Sequence, residues 1–181
     1  MFKKLLIASA LLATTSTVAL ATQATPAPYL GASVGVVDNT SGAGSFRGMP
    51  LTVNAGYGGV INQNFYLAGE LSGVLGTMTL NSHPTRTNRS LRTTFGYGAS
   101  IIPGVMISDR TLAFARLGVV KTRFTNYTNT ATGGQAGLGL QTALTQNLDI
   151  RGEYDYTKYG RFSGVSVKSD AFNLGLVYKF A

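Results

Sequence analysis

From residue 29 onward the chain alternates apolar with small or polar side chains, and stretches with this period of two return eight times. Such alternation marks extended strands with one apolar face. The C-terminal stretch shows it plainly. Phe172, Leu174, Leu176, Tyr178 and Phe180 fall on one side of a strand, and Ala171, Asn173, Gly175, Val177 and Lys179 on the other. The first strand, residues 29–37, sets Leu30, Ala32, Val34 and Val36 against Gly31, Ser33 and Gly35. The second, 49–58, sets Leu51, Val53, Ala55 and Tyr57 against Thr52, Asn54, Gly56 and Gly58. The third, 65–76, opposes Phe65, Leu67 and Leu71 to Tyr66, Ala68, Glu70 and Ser72. In the fourth, 91–102, Phe95, Tyr97, Ala99 and Ile101 face away from Arg92, Thr94, Gly96, Gly98 and Ser100. This strand continues past Pro103, where the missing amide predicts a bulge or a strand end. In the fifth, 111–124, Leu112, Phe114 and Arg116 share a face. The sixth, 135–144, turns Leu138, Leu140 and Leu144 outward.

The seventh strand decides which face is which. Leu148, Ile150, Tyr154 and Tyr156 alternate with Asp149, Arg151, Glu153 and Asp155. A soluble barrel would bury the apolar face and wet the polar one. Here four consecutive positions of one face are ionisable and the other face is aromatic or aliphatic, so either the barrel is inverted in lipid or a half-exposed sheet packs on a second layer. Connection lengths favour lipid. Long links are expected at 38–48, 77–90, 125–134 and 159–169, and short ones at 60–64, 108–110 and 145–147. Long loops at one end and tight turns at the other belong to outer-membrane barrels. Closure also pairs every strand edge, which lipid cannot do. The expected fold is all-β: an eight-stranded antiparallel up-and-down transmembrane β-barrel.

The N-terminus agrees. Lys3 and Lys4 precede an apolar run from Leu5 to Leu12, and Ala19-Leu20-Ala21 offers a small-x-small cleavage site. Residues 1–21 therefore read as a signal peptide and 22–181 as the barrel domain. That apolar run is shorter than the roughly 20 residues of a membrane-spanning helix. The chain has no cysteine, so neither disulfides nor a lipid anchor on cysteine contributes. The 15 basic side chains outnumber the 7 acidic ones. Because they are dispersed along an exported chain, nucleic acid is excluded as a partner, and lipopolysaccharide phosphates are the natural counterpart.

The terminal pattern Asn173-x-Gly175-x-x-Tyr178-x-Phe180 resembles the C-terminal signal read by the barrel assembly machinery, displaced one residue by Ala181. Tyr97-Gly98-Ala99, Ala115-Arg116-Leu117-Gly118, Gly137-Leu138-Gly139-Leu140 and Arg151-Gly152-Glu153-Tyr154 resemble small eight-stranded outer-membrane barrels. These are the opacity-protein porins, outer-membrane protein X and the transmembrane domain of outer-membrane protein A. The resemblance spans the mature chain. It implies a bacterial outer-membrane location and an internal ion-pair network. It also implies assembly-machinery contact and adhesion to a host ligand as an alternative role. It does not extend to a peptidoglycan-binding domain.

Alternation places Glu70, Arg92, Arg116, Arg151 and Glu153 in the lumen, where ionisable groups are expected to pair. Glu153 is expected opposite Arg92 or Arg116. The alternative is a gate in a narrow pore. Arg47, Arg86, Arg89, Arg123, Lys158, Arg161 and Lys168 form an expected basic rim on the long loops, against few acids, chiefly Asp38 and Asp170. Tyr57, Tyr154, Tyr156, Tyr178, Phe65, Phe95 and Phe180 read as interfacial girdles. Two catalytic patterns carry little weight. Gly31-Ala32-Ser33-Val34-Gly35 matches G-x-S-x-G but lies inside a strand, without the strand-to-helix turn that exposes a nucleophile. His83, the one histidine, lacks the His-x-Ser arrangement of outer-membrane lipid A deacylases. No enzyme, cofactor or metal site is therefore expected. The expected role is structural, with four loops presented at the surface; a lipid A-modifying enzyme and a small-solute channel rank below it.

Overall fold

Each alternating stretch pairs with the next, and the last pairs with the first. In the computed structural model, which describes residues 26–41, 44–83, 92–124, 130–160 and 167–180, the strands are β1 (Ala27–Ser41), β2 (Gly44–Asn62), β3 (Phe65–His83), β4 (Thr93–Ser108), β5 (Thr111–Phe124), β6 (Thr130–Ala143), β7 (Leu148–Tyr159) and β8 (Val167–Lys179). They close in sequence order, every neighbouring pair antiparallel. The β1–β8 seam runs without a register break from Tyr29↔Lys179 to Ser41↔Val167. Closure therefore gives every strand a neighbour on both sides, and β3 beyond Val74 runs on paired to β2 alone.

The apolar faces point out. Leu138 is 69% exposed and Leu71 65%, whereas Ile102 is 0% and Phe114 4%. Such outward exposure would drive a soluble chain to aggregate; against acyl chains it is the favourable arrangement. Charged groups lie inside: Glu70, Asp149, Arg151, Glu153 and Asp155 are all buried. Tight turns share one end with both described termini. Gln63 and Asn64 join β2 to β3, with Gln63 in the left-handed region at φ 39°. Asp109 and Arg110 join β4 to β5.

At the other end the strands outrun the sequence expectation. The expected link at 38–48 is mostly ladder, since Asp38↔Arg47 through Ser41↔Gly44 are paired. β3 likewise continues through Thr77 to His83. Above the bilayer a ladder needs no apolar face, so polar Asn, Ser and Thr extend the hairpins where hydropathy suggested loops. Pro103 also departs from expectation. Leu67↔Pro103 is a regular pair, and the shifts in the β4–β5 register lie between Thr93 and Phe95 and between Met106 and Ser108. One missing ladder donor is absorbed there without ending the strand.

Candidate functional site: the lumen and its rim

An eight-stranded barrel is just wide enough for side chains to fill it, and here they do so in layers. Near the tight-turn end Tyr29, Tyr66, Ala68, Ile102, Leu112, Phe114 and Val177 form an apolar cluster. Toward the opposite end Phe46, Ala131, Tyr159 and Val167 form a second. Between them lies a charged layer.

Arg116 of β5 is its hub. Its Nε donates to Glu153 Oε1, and its Nη2 donates to Glu153 Oε2 at 3.0 Å and to Glu70 Oε1 at 2.6 Å. Its Nη1 reaches Ser100 Oγ at 3.3 Å. Arg151 of β7 donates through Nη1 to Glu70 Oε2 at 2.6 Å and through Nε to Gln141 Oε1 at 2.8 Å. The Tyr29 hydroxyl donates to the same Glu70 oxygen at 2.9 Å. The Arg151 guanidinium also lies 5.5 Å from the Tyr29 ring centre and 5.2 Å from that of Phe114, within cation–π range. Gln141 passes the chain to Asp149 Oδ2 at 2.5 Å, and Lys179 Nζ stands 3.0 Å from Asp149 Oδ1. Asp155 is held more loosely: Asn173 donates to it at 3.1 Å, and Arg116 Nε is 3.6 Å away. A cavity of about 120 Å³ above the layer is lined by Ser33, Thr52, Asn54, Asp155 and Thr157 among others.

Of the five residues expected to pair in the lumen, four meet here: Glu70, Arg116, Arg151 and Glu153. Arg92 does not. It is exposed, precedes β4, and its Nε donates to the Thr77 carbonyl at 2.8 Å. The reason is the register shift between Thr93 and Phe95. One extra residue inverts the alternation below it, so Thr93 is buried while Thr94 and Arg92 are exposed. Asp149, Asp155, Gln141, Tyr29 and Lys179 join the layer without having been singled out. The signal for the two aspartates was present, since they share the inward face of β7 with Arg151 and Glu153.

The rim residues lie on strands rather than loops wherever the structure describes them. Arg47 belongs to β2 and bonds Asp38 across the hairpin at 2.7 Å. Arg123 ends β5 beside Phe124, while Lys158 and Lys168 lie on β7 and β8; all three are exposed. Arg86, Arg89 and Arg161 lie outside the described residues. So does the side chain of His83, which ends β3. The Gly31 to Gly35 run lies wholly within β1, far from any strand-to-helix turn. Among the described residues no group of three His, Cys, Asp or Glu side chains could hold a metal.

The terminal residues close the seam. Gly175 pairs with Ser33, and Asn173 with Gly35. Tyr178 and Phe180 face outward with ring centroids 5.1 Å apart, edge to face, and the Phe180 amide donates to the Pro28 carbonyl at 3.0 Å.

Comparison with known proteins agrees with this architecture. A search of curated protein sequences finds no significant match. Among solved structures, Neisserial surface protein A from Neisseria superposes with a TM-score of 0.59 at 20% identity, covering 86% of this chain and 99% of the other. Ail, the attachment invasion locus protein of Yersinia pestis, gives 0.56 at 18% identity, covering 86% and 97%. A second structure of Ail, in complex with the heparin analogue sucrose octasulfate, gives 0.52 at 18% identity, covering 85% and 99%. At these identities the likeness is one of fold. The sequence model of the outer membrane protein beta-barrel domain matches residues 7–180. The chain therefore belongs to the outer membrane protein beta-barrel family and is a protein of the bacterial outer membrane.

Proposed function

We propose that this barrel is a closed structural element of the outer membrane that presents four loops at the cell surface, without catalytic activity and without a conducting pore. The observation that carries the reading is the charged layer. Side chains from β1, β3, β4, β5, β6 and β7 meet across the lumen around Arg116, Glu70 and Arg151. Apolar clusters lie on both sides of that layer. Opening a path for ions would separate buried, hydrogen-bonded charges, and breaking one such pair costs about 3–5 kcal/mol. Outer-membrane lipid surrounds the barrel, and the assembly machinery reads its last strand. Reconstitution in planar bilayers tests the reading. The expected result is no steady current; a large, stable conductance overturns it.

A second reading, binding of a host polyanion, rests on the excess of basic over acidic side chains. It draws support from the solved complex of Ail with a heparin analogue. Cells carrying the intact protein should then bind immobilised heparin more strongly than a strain whose loops have been shortened. Equal binding removes this second reading.

A further inference from the structure

The Gly31-Ala32-Ser33-Val34-Gly35 run leaves the inner wall of β1 almost bare. Gly31, Ser33 and Gly35 alternate inward along it, while Ala32 and Val34 are exposed outward. Asn54 of β2 pairs with Gly31 and Asn173 of β8 with Gly35, and each amide side chain lies over the glycine beside it. Asp155 of β7 lies over Gly137 of β6 in the same way. Where only glycine and serine face inward, nothing fills the lumen, and the cavity of about 120 Å³ remains. Its floor includes Arg116 and Glu153 of the charged layer; Tyr159 and Val120, of the second apolar cluster and its flank, close it from the other side. One water needs about 10–15 Å³ of such space, so a small ion and several waters fit.

Charge beside this cavity is not balanced. Glu70 pairs with Arg151, Glu153 with Arg116 and Asp149 with Lys179. That leaves Asp155 as a carboxylate without a cation of its own, although it is only 6% exposed. Its Oδ2 accepts from Asn173 Nδ2 at 3.1 Å. Its Oδ1 accepts no hydrogen bond. The nearest guanidinium atom, Arg116 Nε at 3.6 Å, already donates its one proton to Glu153. Asn173 Oδ1 is a second buried oxygen without a donor. Both residues line the cavity, and the basic side chains that line it, Arg116 and Arg151, are held by acids. A buried carboxylate lacking a counter-charge is costly, so the space beside it suits a positive ligand.

We infer that this cavity binds a monovalent alkali cation, held by Asp155 Oδ1 and Asn173 Oδ1. The hydroxyls of Ser33, Thr52 and Thr157, with retained water, complete the oxygen shell. Hard cations take oxygen ligands, and each of these side chains offers one. The surplus charge is one, which a monovalent ion neutralises without excess. The inference goes beyond the closed-lumen reading: the lumen holds a resident ion that joins β7, β8 and β1, and the bare wall of β1 exists to make room for it.

The test compares urea unfolding of the protein in vesicles with potassium chloride and with N-methylglucamine chloride at equal ionic strength. At a potassium concentration about three times the dissociation constant, the unfolding equilibrium constant should fall about fourfold. Asp155→Asn, shown to be folded by its migration on unheated gels, should lose that response. Asp38→Asn, which removes a carboxylate on the β1–β2 hairpin, should keep it. In crystals grown with rubidium chloride, anomalous scattering should place an ion against Asp155 Oδ1 of the native protein. Equal stability of the native protein in the two salts overturns the site, as does a potassium response that survives in the folded Asp155→Asn variant. Water alone at Asp155 in the rubidium crystals overturns it independently of any variant. Conductance is read separately, so a steady current would sink the closed-pore reading and leave ion binding at Asp155 to stand or fall on these measurements.

Discussion

Arg151 and Glu70 are 81 residues apart in the chain and 2.6 Å apart in the barrel. They bridge β7 and β3 across the lumen, and Arg116 binds the other oxygen of the same carboxylate. Glu70 thus receives two guanidinium groups and the Tyr29 hydroxyl, all in a site 3% exposed.

Four lumenal carboxylates, Glu70, Asp149, Glu153 and Asp155, share three cations, Arg116, Arg151 and Lys179. Removal of a well-held carboxylate should therefore differ from removal of the surplus one. Glu70→Gln leaves two buried guanidinium groups short of charge and is expected to destabilise by about 3–5 kcal/mol. Asp155→Asn, whose nearest guanidinium atom is 3.6 Å away, should cost less than about 1 kcal/mol or stabilise. Urea unfolding of protein folded into vesicles measures both.

Sidedness is tested directly by charge. Leu174→Arg places a cation on the lipid face between Phe172 and Leu176, and an expected loss of about 2–4 kcal/mol follows if that position is near mid-membrane. A soluble sheet would accommodate arginine at a side chain already 51% exposed. Refolding yield into vesicles, compared with the native chain, distinguishes the two.

At the seam, a Cβ on Gly175 would stand 2.6 Å from Ser33 Cβ and 2.9 Å from its Cα, and would also meet the Ala32 carbonyl oxygen. Backbone cannot yield as a flexible side-chain tip can. Gly175→Ala is expected to cost about 1–3 kcal/mol, the usual range for overpacking, and to lower the folded fraction on unheated gels.

Phe180→Ala is expected to separate assembly from folding. Its outward ring contributes one edge-to-face contact with Tyr178, worth about 0.5–1.5 kcal/mol, so refolding into vesicles should be nearly normal. Yield in the outer membrane of cells should fall several-fold if the assembly machinery reads this residue. Equal yields in cells would remove the assembly reading.

Legibility followed the alternation and ended where the alternation broke. On β7 the period of two is uninterrupted, and Asp149, Arg151, Glu153 and Asp155 were all readable as lumenal. On β4 the same rule misplaced Arg92, because hydropathy carries no mark of the extra residue near Thr94. Strand ends were hidden for a different reason. Asp38, Arg47 and Lys168 sit on ladders above the acyl zone, where neither face need be apolar, so composition suggests loop while the backbone stays paired. The partners of Glu70 could not be chosen from pattern at all. Tyr29, Arg116 and Arg151 come from three separate strands, and only closure brings them to one level.

The strands are not of equal height. β2 and β3 have 19 residues each, and β7 has 12. At roughly 3.3 Å per residue and a tilt near 45°, these rise about 44 Å and about 28 Å along the membrane normal. The hydrocarbon band is about 25 Å tall, and the surplus must stand on the loop side, because the Gln63-Asn64 turn pins the other end. The mouth of the barrel is consequently oblique. Among the described residues, the wall carried by β2 and β3 therefore reaches farther into the sugar layer than the wall carried by β7.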